Sequence, residues 1–458
     1  MAKLSQLNYH NFDNEPKILD FLPKSSRDGC EFTVITGING SQKSTILREI
    51  VRNTLDFEIK DSASGSLTFF NGISDNTNII ATSGALADRY PPKRMAGKPS
   101  QFDDPRYVYL GQRVGTNLLS KKNAVENLVF HLLSETRPTR FNTPFFSRLF
   151  KTVGLLPELN FTFQTKAKRV SKMNFKLGLP NRSLFECLNN IVDGKVSDKD
   201  QGSGYYRYIS RKEASYLLNE FNYDTFGDLH ELESQSAKIF LRMNESEIMS
   251  NVDKDVIRLG LISEDLALLG TEVTSRSRGK NYSMYDLSSG EFHFLFNILG
   301  IGFASNEQSI VLLDEPENSL HPKWQIEFMD MLAELSLEMV NGHIVIATHS
   351  PLIVSSAPSY SNIVDLGLEF EFDDDKHSLF GASTDEILID HFGLTSTRNF
   401  YFVSLLQEVV DLFSNGMTNT EKYSKKIQEL AKIKKGLSEI DPMHEVIDAL
   451  LEASHRNV

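Results

Sequence analysis

Nine residues near the N-terminus, Gly37-Ile38-Asn39-Gly40-Ser41-Gln42-Lys43-Ser44-Thr45, follow a compact apolar run (Phe32, Val34, Ile35) and open a helical pattern reaching about Leu55. A glycine-rich turn between strand and helix aims several backbone N–H groups and the positive helix end at one point, which suits phosphate. In that arrangement Asn39, Gly40, Ser41 and Gln42 line the cradle and Lys43 bridges the terminal phosphates of a nucleotide. Ser44 places its hydroxyl on Mg²⁺, and Thr45 adds a further phosphate contact. One position departs from the GxxxxGK[ST] pattern, because Gln42 stands where glycine normally precedes the lysine. A side chain there is expected to crowd the loop or weaken nucleotide binding, since glycine lets backbone approach a ligand closely.

Four further stretches complete a set. The run Ser309-Ile310-Val311-Leu312-Leu313-Asp314-Glu315-Pro316 reads as a buried strand ending in two carboxylates. Asp314 is placed to orient Mg²⁺ through water and Glu315 to polarise the water that attacks the γ-phosphate of ATP. Ile344-Val345-Ile346-Ala347-Thr348-His349-Ser350-Pro351 is a second apolar run, ending in a histidine suited to hydrogen-bond the γ-phosphate. Gln112, in YLGQRVG, ends a third and is expected to reach the Mg²⁺ and the attacking water. A lone glutamine after a strand is more often a solvated loop residue, and its order in the chain is what promotes it.

Leu287-Ser288-Ser289-Gly290-Glu291 precedes the apolar run FHFLFNILGIGF. Ser288 and Glu291 match a capping box. Ser288, Ser289, Gly290 and Glu291 also form a helix start with a serine and free amides, an anion site for the γ-phosphate of ATP held by another copy. The turn Glu317 to Pro322 is expected to cross that dimer interface. Phosphate loop, glutamine loop, signature, acid pair and switch histidine follow one another in the order of an ABC-type ATPase head, and their order is more specific than any one of them.

The elements that must position these residues read as α/β. Strand-like runs at LSQLNYHNF, SLTFF, NIIATSG and YVYLG surround the first helix, and SIVLLDEP, HIVIATHSP and NIVDLG are continuous apolar runs of the parallel-strand type. The nucleotide-binding domain is therefore split between residues 1–120 and 286–398. Between them, 121–285 reads as a mainly helical insertion without heptads long enough for a coiled-coil arm. A helical tail covers 399–458, with Phe400, Val403, Leu406, Val410 and Phe413 near helical spacing and a last helix opening at Asp441-Pro442. That tail is expected to dock, on a partner or on its own kind.

At 458 residues, with 40% hydrophobic and 24% charged residues, the chain can bury a core without staples. No apolar stretch approaches the roughly 18 residues of a membrane span, and the N-terminus lacks a signal-peptide core, so a cytoplasmic, membrane-free protein is expected. Cys30 and Cys187 form no CxxC pattern. The net charge of −13 argues against general affinity for nucleic-acid backbones. Any DNA contact must be local, and two basic clusters are candidates: Lys166, Lys168, Arg169, Lys172, Lys176 and Arg182, and then Arg276, Arg278 and Lys280. Both are as readily solvated faces. Asp373-Asp374-Asp375 reads as a hairpin tip.

The wording LSSGE, DEPENSLHP and ATHSP resembles the RecF and OLD-type AAA ATPases of the SMC-like branch, over residues 1–120 and about 255–370. Within that group, size, insertion and tail are similar to the ATPase subunit of Septu-type anti-phage systems. The resemblance implies an ATPase that pairs around ATP and Mg²⁺ and works beside a separate HNH-type nuclease. Two alternatives stay open, a RecF-like repair ATPase acting on DNA ends or gaps and a nucleotide-sensing scaffold with little hydrolysis.

Overall fold

The computed structural model describes residues 3–10, 15–21, 29–37, 40–55, 66–70, 77–85, 88–91, 104, 106–112, 120–133, 143–165, 238–243, 248–252, 266–366, 400–418, 420–434 and 443–456, with isolated positions between 188 and 261. Asn39, Cys187, the basic run from Lys166 to Arg182, Asp373 to Asp375 and Asp441-Pro442 lie outside them. The chain divides into two compact units, Met1–Ala382 and Ser383–Val458.

In the first unit the strands β1 (Lys3–His10), β2 (Pro16–Asp20), β3 (Glu31–Thr36), β4 (Ser66–Phe70), β5 (Ile79–Ser83) and β6 (Tyr107–Tyr109) come first. After β7 to β11, described below, come β12 (Ile310–Asp314), β13 (His343–Ala347) and β14 (Asn362–Asp365). Six of these build one all-parallel sheet in the order β14-β3-β13-β12-β5-β6. Every residue of β3, β12 and β13 is buried, as parallel strands covered on both faces require. Helix α1 (Lys43–Thr54) lays Ile46, Leu47, Ile50 and Val51 into a core shared with Ile35, Leu312 and Val345.

Helix α4 (Ser289–Ala304) is apolar all round and buried from Phe292 to Ala304, so it is an internal helix rather than a surface one. Asn297 on it accepts a 2.6 Å hydrogen bond from Thr82 of β5. Helix α5 (Pro322–Ser336) starts with proline at its first turn and is capped by His321. The short α6 (Pro351–Ser356) follows β13.

Strands β1, β2 and β4 form a separate antiparallel sheet, order β2-β1-β4, with Leu7 opposite both Leu19 and Leu67. A buried polar network ties it to the parallel sheet. Lys3 pairs with Glu31 at 3.1 Å, and the Leu4 N–H donates to His343 Nδ1 at 3.1 Å. The proton of His343 is thereby placed on Nε2, which meets Thr33 Oγ1 at 2.9 Å, and the Thr33 hydroxyl donates onward to the Phe21 carbonyl. Burial, helped by the Lys3 charge, pushes the His343 pKa down to about 3, so the ring is neutral and the strand starts are locked in register.

The span 121–285, read from its pattern as mainly helical, contains both helices and strands among its described residues. Beside α2 (Lys121–Leu132) and α3 (Thr143–Thr152), it carries a five-stranded antiparallel sheet, order β11-β10-β7-β8-β9. Its members are β7 (Leu159–Thr165), β8 (Lys238–Met243), β9 (Ile248–Ser250), β10 (Leu266–Thr274) and β11 (Asn281–Ser283). Period-two burial explains the outcome: Phe161 and Phe163 are buried on β7, and Leu266 and Leu268 on β10, while Leu269 is exposed. Aromatic and β-branched residues at that period fit a half-buried pleat better than a helix.

The second unit contains α7 (Phe400–Ser414), α8 (Glu421–Lys434) and α9 (Met443–Arg456). Phe402, Leu405 and Val409 pack with Tyr423, Ile427, Leu430, Ile447 and Leu450 into a core of its own. The buried stripe of α7 runs through Phe402, Leu405 and Val409, which also satisfy helical spacing and find partners on α8 and α9, with Val403 and Leu406 partly buried beside it. Val410 and Phe413, on the face expected to dock, are exposed.

Candidate active site

Strand β13 lies between β3 and β12, so the carboxyl ends of three neighbouring parallel strands deliver the phosphate loop, Thr348-His349 and Asp314-Glu315 to one edge of the sheet. Ligands of open parallel sheets bind at such an edge. The loop after β3 is built on positive φ angles: Gly37 at +146° and Gly40 at +89°. A Cβ on Gly37 would lie 2.6 Å from Ser41 Oγ.

Gln42 has φ 73° and ψ 11°, in the left-handed region, and caps α1 without a side-chain hydrogen bond. The backbone conformation therefore supplies a second reason for glycine at this position, beside the crowding expected from the sequence. A left-handed non-glycine residue costs about 1–2 kcal/mol, whereas glycine gives back about 0.4–1 kcal/mol through the unfolded chain. Gln42→Gly should leave thermal stability unchanged or slightly raised and tighten ATP binding several-fold. Calorimetric titration of the variant against the parent checks this, and weaker binding would show that the glutamine side chain contributes to the cradle.

Lys43 is buried, and its Nζ donates to the Gly37 carbonyl at 2.7 Å. Burial lowers its pKa, against the opposing pull of Glu315, Asp314, Glu317 and Asp365. The Ser44 hydroxyl donates to Asp314 Oδ1 at 3.0 Å, which brings together the two oxygen groups that the sequence assigns to Mg²⁺. Burial pushes the Asp314 pKa up to about 7. The Ser44 hydrogen bond lowers it, and Glu315, Asp88 and Glu317 raise it further. A hydroxyl and a carboxylate amid surplus negative charge are hard oxygen donors that suit Mg²⁺, and a divalent cation would return Asp314 to its ionised form.

Glu315 adopts φ 48°, a strained conformation for a residue with a side chain, while its N–H donates to the Ala347 carbonyl at 2.8 Å. Gly84 makes this turn feasible, since a Cβ there would lie 2.1 Å from the Glu315 carbonyl oxygen. The Glu315 carboxylate accepts from Asn318 Nδ2 at 2.7 Å. His349 Nδ1 lies 3.6 Å from Glu315 Oε1 and 3.5 Å from Glu317 Oε1.

Gln112 Nε2 meets Nε2 of His293 at 3.1 Å, on the helix that Ser288 caps. Burial lowers the His293 pKa and the Lys121 charge adds to the effect, which favours the neutral ring. Ser288 and Glu291 form the reciprocal capping box: the Ser288 N–H donates to Glu291 Oε2 at 2.9 Å, and the Glu291 N–H donates back to Ser288 Oγ at 3.3 Å. Ser288 and Ser289 are exposed, and Gly290 lets the helix start press on the turn after β12, where a Cβ would lie 2.4 Å from the Ser319 carbonyl.

The structure adds residues that motif reading did not assign. Arg89 donates to Thr45 Oγ1 at 3.1 Å from a segment clamped by Asp88, which accepts from the Tyr90 N–H and the Tyr109 hydroxyl. No spacing rule marks Arg89, because loop and strand meet only in the folded sheet. His293 reads in sequence as one polar residue in an apolar helix. Glu317 had a visible signal, a third acid within four residues that include the Asp314-Glu315 pair, and its side chain is buried.

A family model described as "AAA domain, putative AbiEii toxin, Type IV TA system" matches residues 194–355. Protein ea59 of Escherichia phage lambda is 42% identical over 72 residues, which cover 16% of this chain and 14% of that protein. Septu protein PtuA of Bacillus thuringiensis is 26% identical over 156 residues, 30% of this chain and 38% of PtuA, so the chain spans well under half of either relative. An Smc head domain bound to the C-terminal domain of ScpA, derived from Pyrococcus furiosus, aligns at TM-score 0.29 and 14% identity, covering 78% of this chain and 92% of that one.

Residues 194–355 thus resemble an AAA domain, and the chain pairs that likeness with an α/β fold in which a parallel sheet carries a glycine-containing turn, a buried strand ending in Asp314-Glu315 and a serine-capped helix start. Over 156 residues it also resembles the Septu protein PtuA.

Proposed function

We propose that the chain binds ATP with Mg²⁺, pairs head-to-tail with a second copy around two nucleotides and hydrolyses them, and that the pair assembles or gates a separate HNH-type nuclease in anti-phage defence. The observation that carries the hydrolysis is the meeting of Ser44 and Asp314 at 3.0 Å beside a Glu315 that faces His349. Asn39, Gly40, Ser41, Gln42 and Thr45 surround the phosphates, and Lys43 turns from the Gly37 carbonyl to them. Ser44, Gln112 and, through water, Asp314 would hold Mg²⁺, whose positive charge neutralises the phosphate oxygens. Glu315 orients and deprotonates the attacking water, and His349 hydrogen-bonds the γ-phosphate. Ser288 and Glu291 spend their side-chain bonds on the capping box, and with Ser289 and Gly290 they offer a helix start, exposed at Ser288 and Ser289, to the nucleotide on the other copy.

The likeness to PtuA supports the defence reading and hence the partner. No helix of the described residues is long and apolar enough to cross a membrane. A DNA-directed role like that of RecF draws support from the exposed Arg276, Arg278 and Lys280 in the turn between β10 and β11, which leads into the signature. A nucleotide-sensing scaffold draws support from the strained Gln42.

The experiment combines the purified chain, with and without residues 399–458, with the product of the neighbouring gene, and follows ATP turnover, co-elution and DNA cleavage. ATP turnover by the chain, with cleavage only in the mixture, is expected. Cleavage by the chain alone with Mg²⁺ or Mn²⁺ would overturn the separate-effector reading, and undiminished nuclease binding by the truncated chain would remove the tail from it.

A further inference from the structure

Glu317 is 7% exposed, sits three residues beyond Asp314, and has no part in the hydrolysis just described. Its Oε1 accepts from the Thr348 hydroxyl at 2.8 Å and from the His349 N–H at 2.9 Å, and lies 3.5 Å from His349 Nδ1. One buried oxygen thus holds the backbone, the preceding side chain and the near ring nitrogen of the switch residue. The other, Oε2, is buried with no hydrogen-bond partner among the described residues. Leaving half a carboxylate unsatisfied costs about 1–3 kcal/mol or more, so an acid at this depth needs a compensating use.

We infer that Glu317 is the positioning residue of the switch histidine: it fixes the end of β13 and turns the Nδ1 side of His349 toward the carboxylates, leaving the Nε2 side to face the γ-phosphate, to which it donates when the ring carries a proton on both nitrogens. The inference rests on the hydrolysis reading and names the group that makes His349 competent within it. Thr348 is the second half of the device. Its hydroxyl donates to Glu317 and accepts the Ser350 N–H at 2.9 Å, while Ser350 caps α6 and donates to Gln325 at 2.6 Å. The strand end, the switch residue and the next helix are therefore indexed to one carboxylate. The charged groups facing His349 are Glu315 and Glu317 from the turn after β12, with Lys43 from α1 across from both acids.

Three variants separate positioning from simple structure. Glu317→Gln keeps an oxygen for the Thr348 and His349 donors and loses the charge, Glu317→Ala loses both, and Thr348→Val removes one donor. Turnover should fall about 10–100-fold in Glu317→Ala, the usual loss when a partner that orients an active group is removed, and less in Glu317→Gln, with the KM for ATP within about 3-fold of the parent in each. Histidine ¹⁵N spectra, with the His349 signals assigned through His349→Gln, should show Nδ1 protonated in the parent and its signal moved toward the unprotonated position in Glu317→Gln, because the charged acceptor facing it has gone. An unchanged Nδ1 signal together with parental turnover in Glu317→Gln overturns the inference. If the parent itself fails to hydrolyse ATP, the hydrolysis reading falls, and the Nδ1 signal, recorded without turnover, still decides whether Glu317 governs the ring. Melting curves identify a variant that has merely unfolded, and Glu317→Gln then carries the decision.

Discussion

Glu315→Gln is expected to keep ATP bound and to lose turnover by about 10²–10⁴-fold, the range that a positioned general base contributes. The substitution is nearly isosteric, and its amide can still accept the 2.7 Å hydrogen bond from Asn318 while its backbone keeps the bond to Ala347. What it loses is the ability to take a proton from water. Lys43→Ala should behave differently and lose binding as well as turnover. The Lys43 charge stands against Asp314, Glu315, Glu317 and Asp365, so removing it sets four carboxylates against an incoming triphosphate. Filter binding with labelled ATP beside phosphate release distinguishes the two patterns, and hydrolysis by Glu315→Gln at the parental rate would remove the role given to that residue.

Ser288→Arg should abolish ATP-dependent pairing. Ser288 occupies the N-cap of α4, so the substitution forfeits a cap worth about 0.5–2 kcal/mol and places a long cation where, in the proposed pairing, a second copy would bring its nucleotide. The helix itself should survive, because its residues from Phe292 to Ala304 are held by core packing and not by the cap alone. Ser288→Asp is the informative companion. Aspartate is a strong N-cap, so stability should stay parental, whereas its charge repels the γ-phosphate and pairing should still be lost. Light scattering with ATP and Mg²⁺ reads both variants, and ATP-dependent association of Ser288→Asp equal to that of the parent would dissociate the signature from the interface.

The parallel strands were legible because burial on both faces leaves continuous apolar runs, as in Ile310 to Leu313 and Ile344 to Ala347. The acid pair and the histidine were legible because each stands at the end of such a run. The antiparallel sheet between the two halves was not, since β7 and β8 are separated by more than seventy residues and their pairing is a long-range choice that local pattern does not encode. On α7 the sets 403, 406, 410 and 402, 405, 409 are equally periodic, and packing on Tyr423 and Leu430 selects the second for the core. Contacts made across the fold, Arg89 to Thr45, Gln112 to His293 and Glu317 to His349, join residues 44, 181 and 32 positions apart and carry no sequence signature. Gln42 is the converse case. Its departure from glycine is plain in the sequence, while its cost as a left-handed backbone emerges only from the φ angle.

In the proposed assembly two copies enclose ATP between them. Native mass measurement of Glu315→Gln, incubated with ATP and Mg²⁺ so that nucleotide is retained, reads this out. Assemblies built from units of twice 51.8 kDa, each unit carrying two ATP molecules and absent when nucleotide is omitted, are expected. A single 51.8 kDa chain saturated with ATP would contradict it.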